Sequence, residues 1–163
     1  MVACRALLDQ TRLTSSPASD SGAVWSPGGR RIAFCSNRNH SNLLNYDIYQ
    51  MNPDGRDVKQ LTDDPEYDVE PKWSPDGSKL LFMTGRNGGV SGNFDIYVMN
   101  ADGSNQTNLN PSPKAEGSAV WSPNGRNIAF NSTRDGHSEV YVMEAEGRQT
   151  KKVTNQRHTR YSR

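Results

Sequence analysis

Three acids and three arginines recur in this chain at fixed distances from three tryptophans. Asp20, Asp68 and Glu116 each lie five residues before Trp25, Trp73 and Trp121, and Arg38, Arg86 and Arg134 each lie thirteen residues after them. Carboxylates and guanidiniums at such spacing admit two kinds of chemistry. Left free at the mouth of a channel, they make a ring of charge that holds a partner's polar groups or a cation. Paired with each other, they pin the start of one strand to a neighbouring loop through bidentate hydrogen bonds. A pairing needed in every repeat explains the recurrence without a ligand, and is the simpler reading.

Other chemistry finds less support. His40, His137 and His158 share no register, so no metal site is expected from them. The stretches "NPDGRD" (52–57) and "NADGSN" (100–105) resemble the opening of a calcium loop, but the twelfth position holds Asp63 or Pro111 where that loop needs glutamate. They read as hairpin turns. There is no Gly-x-Ser-x-Gly elbow and no glycine-rich phosphate loop. Ser26, Ser74 and Ser122 belong to turns. The expectation is a protein that is not an enzyme and takes no cofactor.

The elements that position these residues follow from the repeat. The tryptophans are 73−25 = 48 and 121−73 = 48 residues apart, and Phe34, Phe82 and Phe130 keep step. "DIYQMNPDG" (47–55), "DIYVMNADG" (95–103) and "EVYVMEAEG" (139–147) form a second landmark, with tyrosines 97−49 = 48 and 141−97 = 44 apart. A third, "RLT", "QLT", "NLN" and "KVT", starts at positions 12, 60, 108 and 152. Periods of 20–50 residues signal a solenoid, a propeller or an array.

Within each repeat a short apolar segment ends at the tryptophan. Next comes a run apolar on both faces ("RIAFCS", "KLLFMT", "NIAFNS"), then the tyrosine-bearing strand, then a polar strand of the "DVKQLT" type. Ser-Pro-x-Gly and "PDG", "ADG", "AEG" supply the tight turns between them. Four antiparallel strands per repeat make a propeller blade, and the chain is read as all-β. The tryptophan fills the space between neighbouring blades. The loops "NRNHSNLLNYD" (37–47) and "GRNGGVSGNFD" (85–95) then lie on one rim between second and third strands, with Leu43, Leu44 and Phe94 as exposed apolar anchors or packed back onto the rim.

Composition narrows the function classes. The 163 residues carry 19 Lys+Arg against 18 Asp+Glu, a net charge of +1, which gives no general field for nucleic acid or anionic membrane. No run approaches the length of a membrane span, and "MVACRALLDQTRLT" lacks the apolar centre of a signal peptide. Cys4 and Cys35 are far apart and imply neither a disulfide framework nor a metal knuckle.

The ordered motifs resemble the TolB-type β-propeller repeat: leucine-threonine, a linker, Pro-x-Trp-Ser-Pro-Asp-Gly, an apolar strand, Ser-x-Arg, Asp-Ile-Tyr-x-Met-Asn and Asp-Gly. The likeness spans residues 12–154 and is closest in "PKWSPDGSKLLFMTGR" and "DIYVMNADG". Departures are Gly28 and Asn124 for the turn aspartate, Ala23 and Ala119 for the proline, and Glu139 for the strand-start aspartate. TolB-like propellers usually close with six blades. This chain supplies three, at 19–62, 67–110 and 115–154, with 1–18 as the outer-strand remnant of another and 155–163 as a tail.

Three blades should leave two open flanks, so the chain is expected either to be a fragment of a longer protein or to pair with a second copy and complete a six-bladed ring. The resemblance implies a non-catalytic module for protein or peptide partners, periplasmic or secreted. The alternatives are a piece of the propeller that gates a prolyl-oligopeptidase-type peptidase or belongs to a lyase, some of which use a histidine-bound metal, and a self-assembling structural half-propeller.

Overall fold

The computed structural model describes residues 10–40, 45–86 and 93–154. The strands are β1 (Asp20–Trp25), β2 (Ile32–Ser36), β3 (Asp47–Met51), β4 (Lys59–Gln60), β5 (Asp68–Trp73), β6 (Lys79–Thr84), β7 (Asp95–Asn100), β8 (Thr107–Asn108), β9 (Glu116–Trp121), β10 (Asn127–Ser132), β11 (Glu139–Glu144) and β12 (Lys151–Lys152). They form three sheets of four, ordered β1-β2-β3-β4, β5-β6-β7-β8 and β9-β10-β11-β12. Every pairing is antiparallel, so each sheet is a meander, and the described residues contain no helix.

The turn chemistry makes the meander. In the first corner of blade two, Gly77 N–H donates to the Ser74 carbonyl (2.9 Å) and Ser74 N–H to the Lys79 carbonyl (2.9 Å). The Ser74 hydroxyl accepts from Lys79 N–H (2.9 Å) and donates to Asp76 (2.6 Å), closing the corner on side chains as well as backbone. Asn124 plays the aspartate's part in blade three, accepting from Ser122 (2.8 Å). Gly28 supplies no side chain for that part in blade one. Gly55 and Gly103 N–H close the later turns on the Asn52 and Asn100 carbonyls (3.0 and 2.9 Å), so both calcium-like stretches are hairpin turns.

Each first strand carries a bulge that the repeat alone does not announce. The register of β1 on β2 shifts between Ser21 and Val24, and that of β5 on β6 between Val69 and Lys72. Gly22, Glu70 and Ser118 occupy the equivalent bulged place, all at positive φ (63°, 55° and 52°). Only the first is glycine, so Glu70 and Ser118 hold a conformation that costs roughly 1–3 kcal/mol at a non-glycine residue. The fold demands the bend in every blade.

Alternation in the middle strands builds two cores. Ala33, Cys35 and Ile48 of blade one meet Leu80, Phe82 and Met99 of blade two. Leu81, Met83, Ile96 and Val98, on blade two's other face, meet Ile128, Phe130, Tyr141 and Met143 of blade three. Each fully buried Leu, Ile or Phe contributes about 1.5–3 kcal/mol, so these contacts hold the blades together. The inner strands β1, β5 and β9 touch in succession.

The flanks differ from the expectation of two bare faces. Ile32, Phe34, Tyr49 and Met51, on the first blade's outward face, are buried, with Leu13 packed against them. On the third blade, Ala129, Asn131, Val140 and Val142 stand where blade two has Leu81, Met83, Ile96 and Val98 by cross-strand register. That face is smaller and more polar than the one it replaces, as suits a terminal repeat.

Candidate functional site

The recurring acids and arginines are brought together, one pair per blade. Arg38 meets Asp20 (3.0 Å), Arg86 meets Asp68 (2.6 Å), and Arg134 meets Glu116. Each acid opens a first strand and each arginine follows a second strand by two residues, so the pair ties together the ends of two antiparallel neighbours. The arginine is held from two further sides. Arg38 and Arg134 donate through Nε to the hydroxyls of Ser36 (2.9 Å) and Ser132 (3.1 Å), while Arg86 Nε turns to Asp64 (3.2 Å).

Beneath each guanidinium lie a phenylalanine and a tyrosine, at 5.1 and 4.9 Å for Arg38, 5.5 and 5.3 Å for Arg86, and 5.5 and 4.8 Å for Arg134. Such stacking favours arginine over lysine. The aromatic shelf and the hydroxyl are the parts that spacing from tryptophan alone misses. The Ser-x-Arg and Thr-x-Arg spacings at 36–38, 84–86 and 132–134 are the signal that carries them.

The electrostatics differ by blade. Burial alone would raise Asp20, but hydrogen bonds from Ser36 and Arg38 outweigh it and hold the carboxyl below its ordinary value. Burial wins at Asp68 and raises it despite Thr84 and Arg86. Burial pushes Glu116 up to about 7, Asp95 adds repulsion, and Arg134 offsets only part of this. With their partners inside the same blade and their arginine side chains mostly buried, these six residues form struts.

The rim anchors fare differently. Phe94 is half buried against the core between blades two and three, edge-on to Tyr67 (centroids 6.4 Å apart, planes at 72°). It is thus packed inward instead of standing exposed, and its carbonyl accepts from Glu116 N–H (3.0 Å) at the start of the next blade. Leu43 and Leu44 lie outside the described residues. His40 Nε2 is bound to buried Asp47 (2.6 Å) and its ring to Asn45. Among the described residues no group of three or more His, Cys, Asp or Glu could hold a metal.

A feature not foreseen is the collar where the three corners converge. Val24, Trp25 and Pro27 of blade one, Lys72, Trp73 and Pro75 of blade two, and Val120, Trp121 and Pro123 of blade three line one open concavity of about 290 Å³. Trp121 donates its indole N–H to the Lys72 carbonyl (3.2 Å), tying blade three to blade two. Trp25 is 59% exposed and Val120 46% exposed. The thrice-repeated Trp-Ser-Pro was the signal, read there as packing between blades only.

Four-stranded meanders set side by side with their first strands innermost make this chain part of a β-propeller. Residues 89–163 match the model described as the TolB beta propeller domain, which the repeat resembles. Among solved structures, it is similar to a TolB from Agrobacterium tumefaciens described as putative (TM-score 0.69, 24% identity, 86% of this chain and 50% of that one). It is also similar to TolB from Acinetobacter baumannii (0.68, 22%, 88% and 34%). A puromycin hydrolase matches in fold as well (0.68, 18%, 88% and 23%). The chain therefore spans half or less of the length of these structures. No curated protein sequence matches it significantly.

Proposed function

We propose that this chain is a non-catalytic binding module, a TolB-like propeller segment that holds a protein or peptide partner from the periplasm or the cell exterior. The collar carries the reading. Three indoles and three prolines from successive blades offer flat apolar faces around one concavity, with Trp25 and Val120 open to solvent. Large aromatic surfaces of this kind supply most of the affinity in peptide and protein interfaces. The acid–arginine struts fix the ends of the strands on which the collar stands.

A defined library of extended peptides, read out by tryptophan emission and calorimetry, tests this. Trp25→Ala should weaken a selected peptide by about tenfold, roughly 1.4 kcal/mol, with the melting temperature unchanged. A selected peptide whose affinity ignores both Trp25→Ala and Val120→Asp would remove the collar from consideration. The fold likeness to a hydrolase supports a second reading, in which these blades belong to the propeller of a peptidase. An α/β-hydrolase elbow encoded in the same reading frame would establish it over the first.

A further inference from the structure

Residues 11–14 stand where a blade's fourth strand stands, and the third strand that such a segment pairs with is not among the described residues. Three contacts fix the position. The Leu13 carbonyl lies 2.5 Å from where a Cβ on Gly55 would be, as the Leu61 carbonyl does at Gly103 (2.8 Å). Thr14 hydrogen-bonds Asp20 as Thr62 does Asp68 and Asn110 does Glu116. Leu13 packs on Ile32, Phe34, Tyr49 and Met51.

In complete blades this segment makes two bonds to one residue of the third strand, the one after the acid. Backbone N–H of Leu61, Leu109 and Val153 donates to the carbonyls of Ile48, Ile96 and Val140 (2.8, 2.9 and 2.8 Å). The next threonine's hydroxyl accepts the N–H of Ile48 (2.9 Å) or Val140 (2.8 Å) and donates to the acid, Asp47 or Glu139. Among the described residues Leu13 N–H has no backbone acceptor, and Thr11 and Arg12 are exposed. Among the described residues, this segment thus presents half of a strand site, fitted to an extended segment reading acid, aliphatic residue, tyrosine.

We propose that the strand it takes is β11 of a second copy, whose own β12 gives way to residues 11–14. The sequence of β11 begins Glu-Val-Tyr, as the site requires. Its present cover is the weakest of the three fourth strands. Both β12 residues are exposed, and Val153 is 62% exposed where Leu61 and Leu109 are 6% and 8%. Exchange replaces that valine with a leucine already seated on Gly55. Two copies joined this way, each lending residues 11–14 to the other, set three blades beside three and make a ring of six, a number within the range of closed propellers. This inference is independent of the peptide-binding reading.

The test uses the full chain with Cys4→Ser and Cys35→Ala. Val142 faces Lys151 within one chain, and position 11 takes the place of Lys151 in the exchanged pairing. Light scattering over a dilution series should give twice 18.1 kDa. Oxidising the Thr11→Cys, Val142→Cys protein should link two chains, whereas Val142→Cys with Lys151→Cys should not close within one. Leu13→Asp should reduce the dimer fraction about tenfold at fixed concentration. Thr14→Ala, which leaves the Leu13 packing intact, should act in the same direction and covers the case in which Leu13→Asp misfolds. A monomer at every concentration, a dimer insensitive to both substitutions, or linkage only through positions 142 and 151 of one chain overturns the proposal.

Discussion

Glu116 shows how a strut can cost stability at neutral pH. Its carboxylate is out of water, burial lifts it to about 7 from an ordinary 4.5, and Arg134 recovers only part of the loss. A folded value above the unfolded one means that the folded state holds the proton more tightly. The contribution is therefore complete below pH 4.5 and is lost as pH rises through 7. Asp68, raised in the same direction, adds to the slope. Thermal melts should show stability falling between pH 4.5 and 7, and Glu116→Gln should flatten that fall; an unchanged slope would place the titration elsewhere. At the corner of blade one, Gly28 lacks the side chain by which Asp76 receives the Ser74 and Ser78 hydroxyls, and a Cβ there meets nothing within 4 Å. Gly28→Asp should add about 0.5–1 kcal/mol, or roughly 2–3 °C in melting temperature. A loss of stability would mean that the first corner is built differently from the second.

Strands two and three of every blade, and the corner between strands one and two, were legible in the sequence because a period of 48, shortened once to 44 before the last tyrosine strand, and the Ser-Pro-x-Gly turns left them little freedom. The fourth strands were legible only in place. Over "DVKQLT" the ladder holds just Lys59 and Gln60, since Asp57 turns to positive φ and Leu61 alone has a core to enter. The bulges at Glu70 and Ser118 were hidden because their side chains do not betray a left-handed backbone; only Gly22, one period earlier, hints at it. Of the candidate site, the acid–arginine pairs were readable from spacing, whereas the burial of Phe94 depends on the core shared with blade three across a blade boundary, which no repeat alignment displays. The same boundary explains a glycine. At Gly147, with φ of 81°, a Cβ would run into the Leu109 carbonyl of blade two. Gly147→Ala should cost about 2–3 kcal/mol in urea unfolding, with Gly28→Ala as a control within about 0.5. If the two cost the same, the close approach of neighbouring blades is not what selects glycine.

Among the described residues, blade two alone has a neighbouring blade on both faces, and this asymmetry should govern the order in which the structure opens. Leu80, Phe82 and Met99 belong to one core, and Leu81, Met83, Ile96 and Val98 to the other, so exposing β6 or β7 requires both to be lost. Blade one buries Ile32, Phe34, Tyr49 and Met51 on its outer face, with Leu13 the one further apolar residue described there, and blade three has Asn131 and two valines on its own with no described neighbour. Local opening draws on the elements with the fewest buried apolar contacts. At dilutions where the chain is a monomer, native-state amide exchange should therefore be slowest in β6 and β7, intermediate in β2 and β3, and fastest in β10 through β12. Trp121→Ala should bring blade three's exchange forward further, because the indole both packs on the core and bonds the Lys72 carbonyl, whereas Trp25→Ala should change little. If β11 is instead as protected as β7, something in solution must cover the third blade's outer face, and protection that falls on dilution would identify it as a second copy.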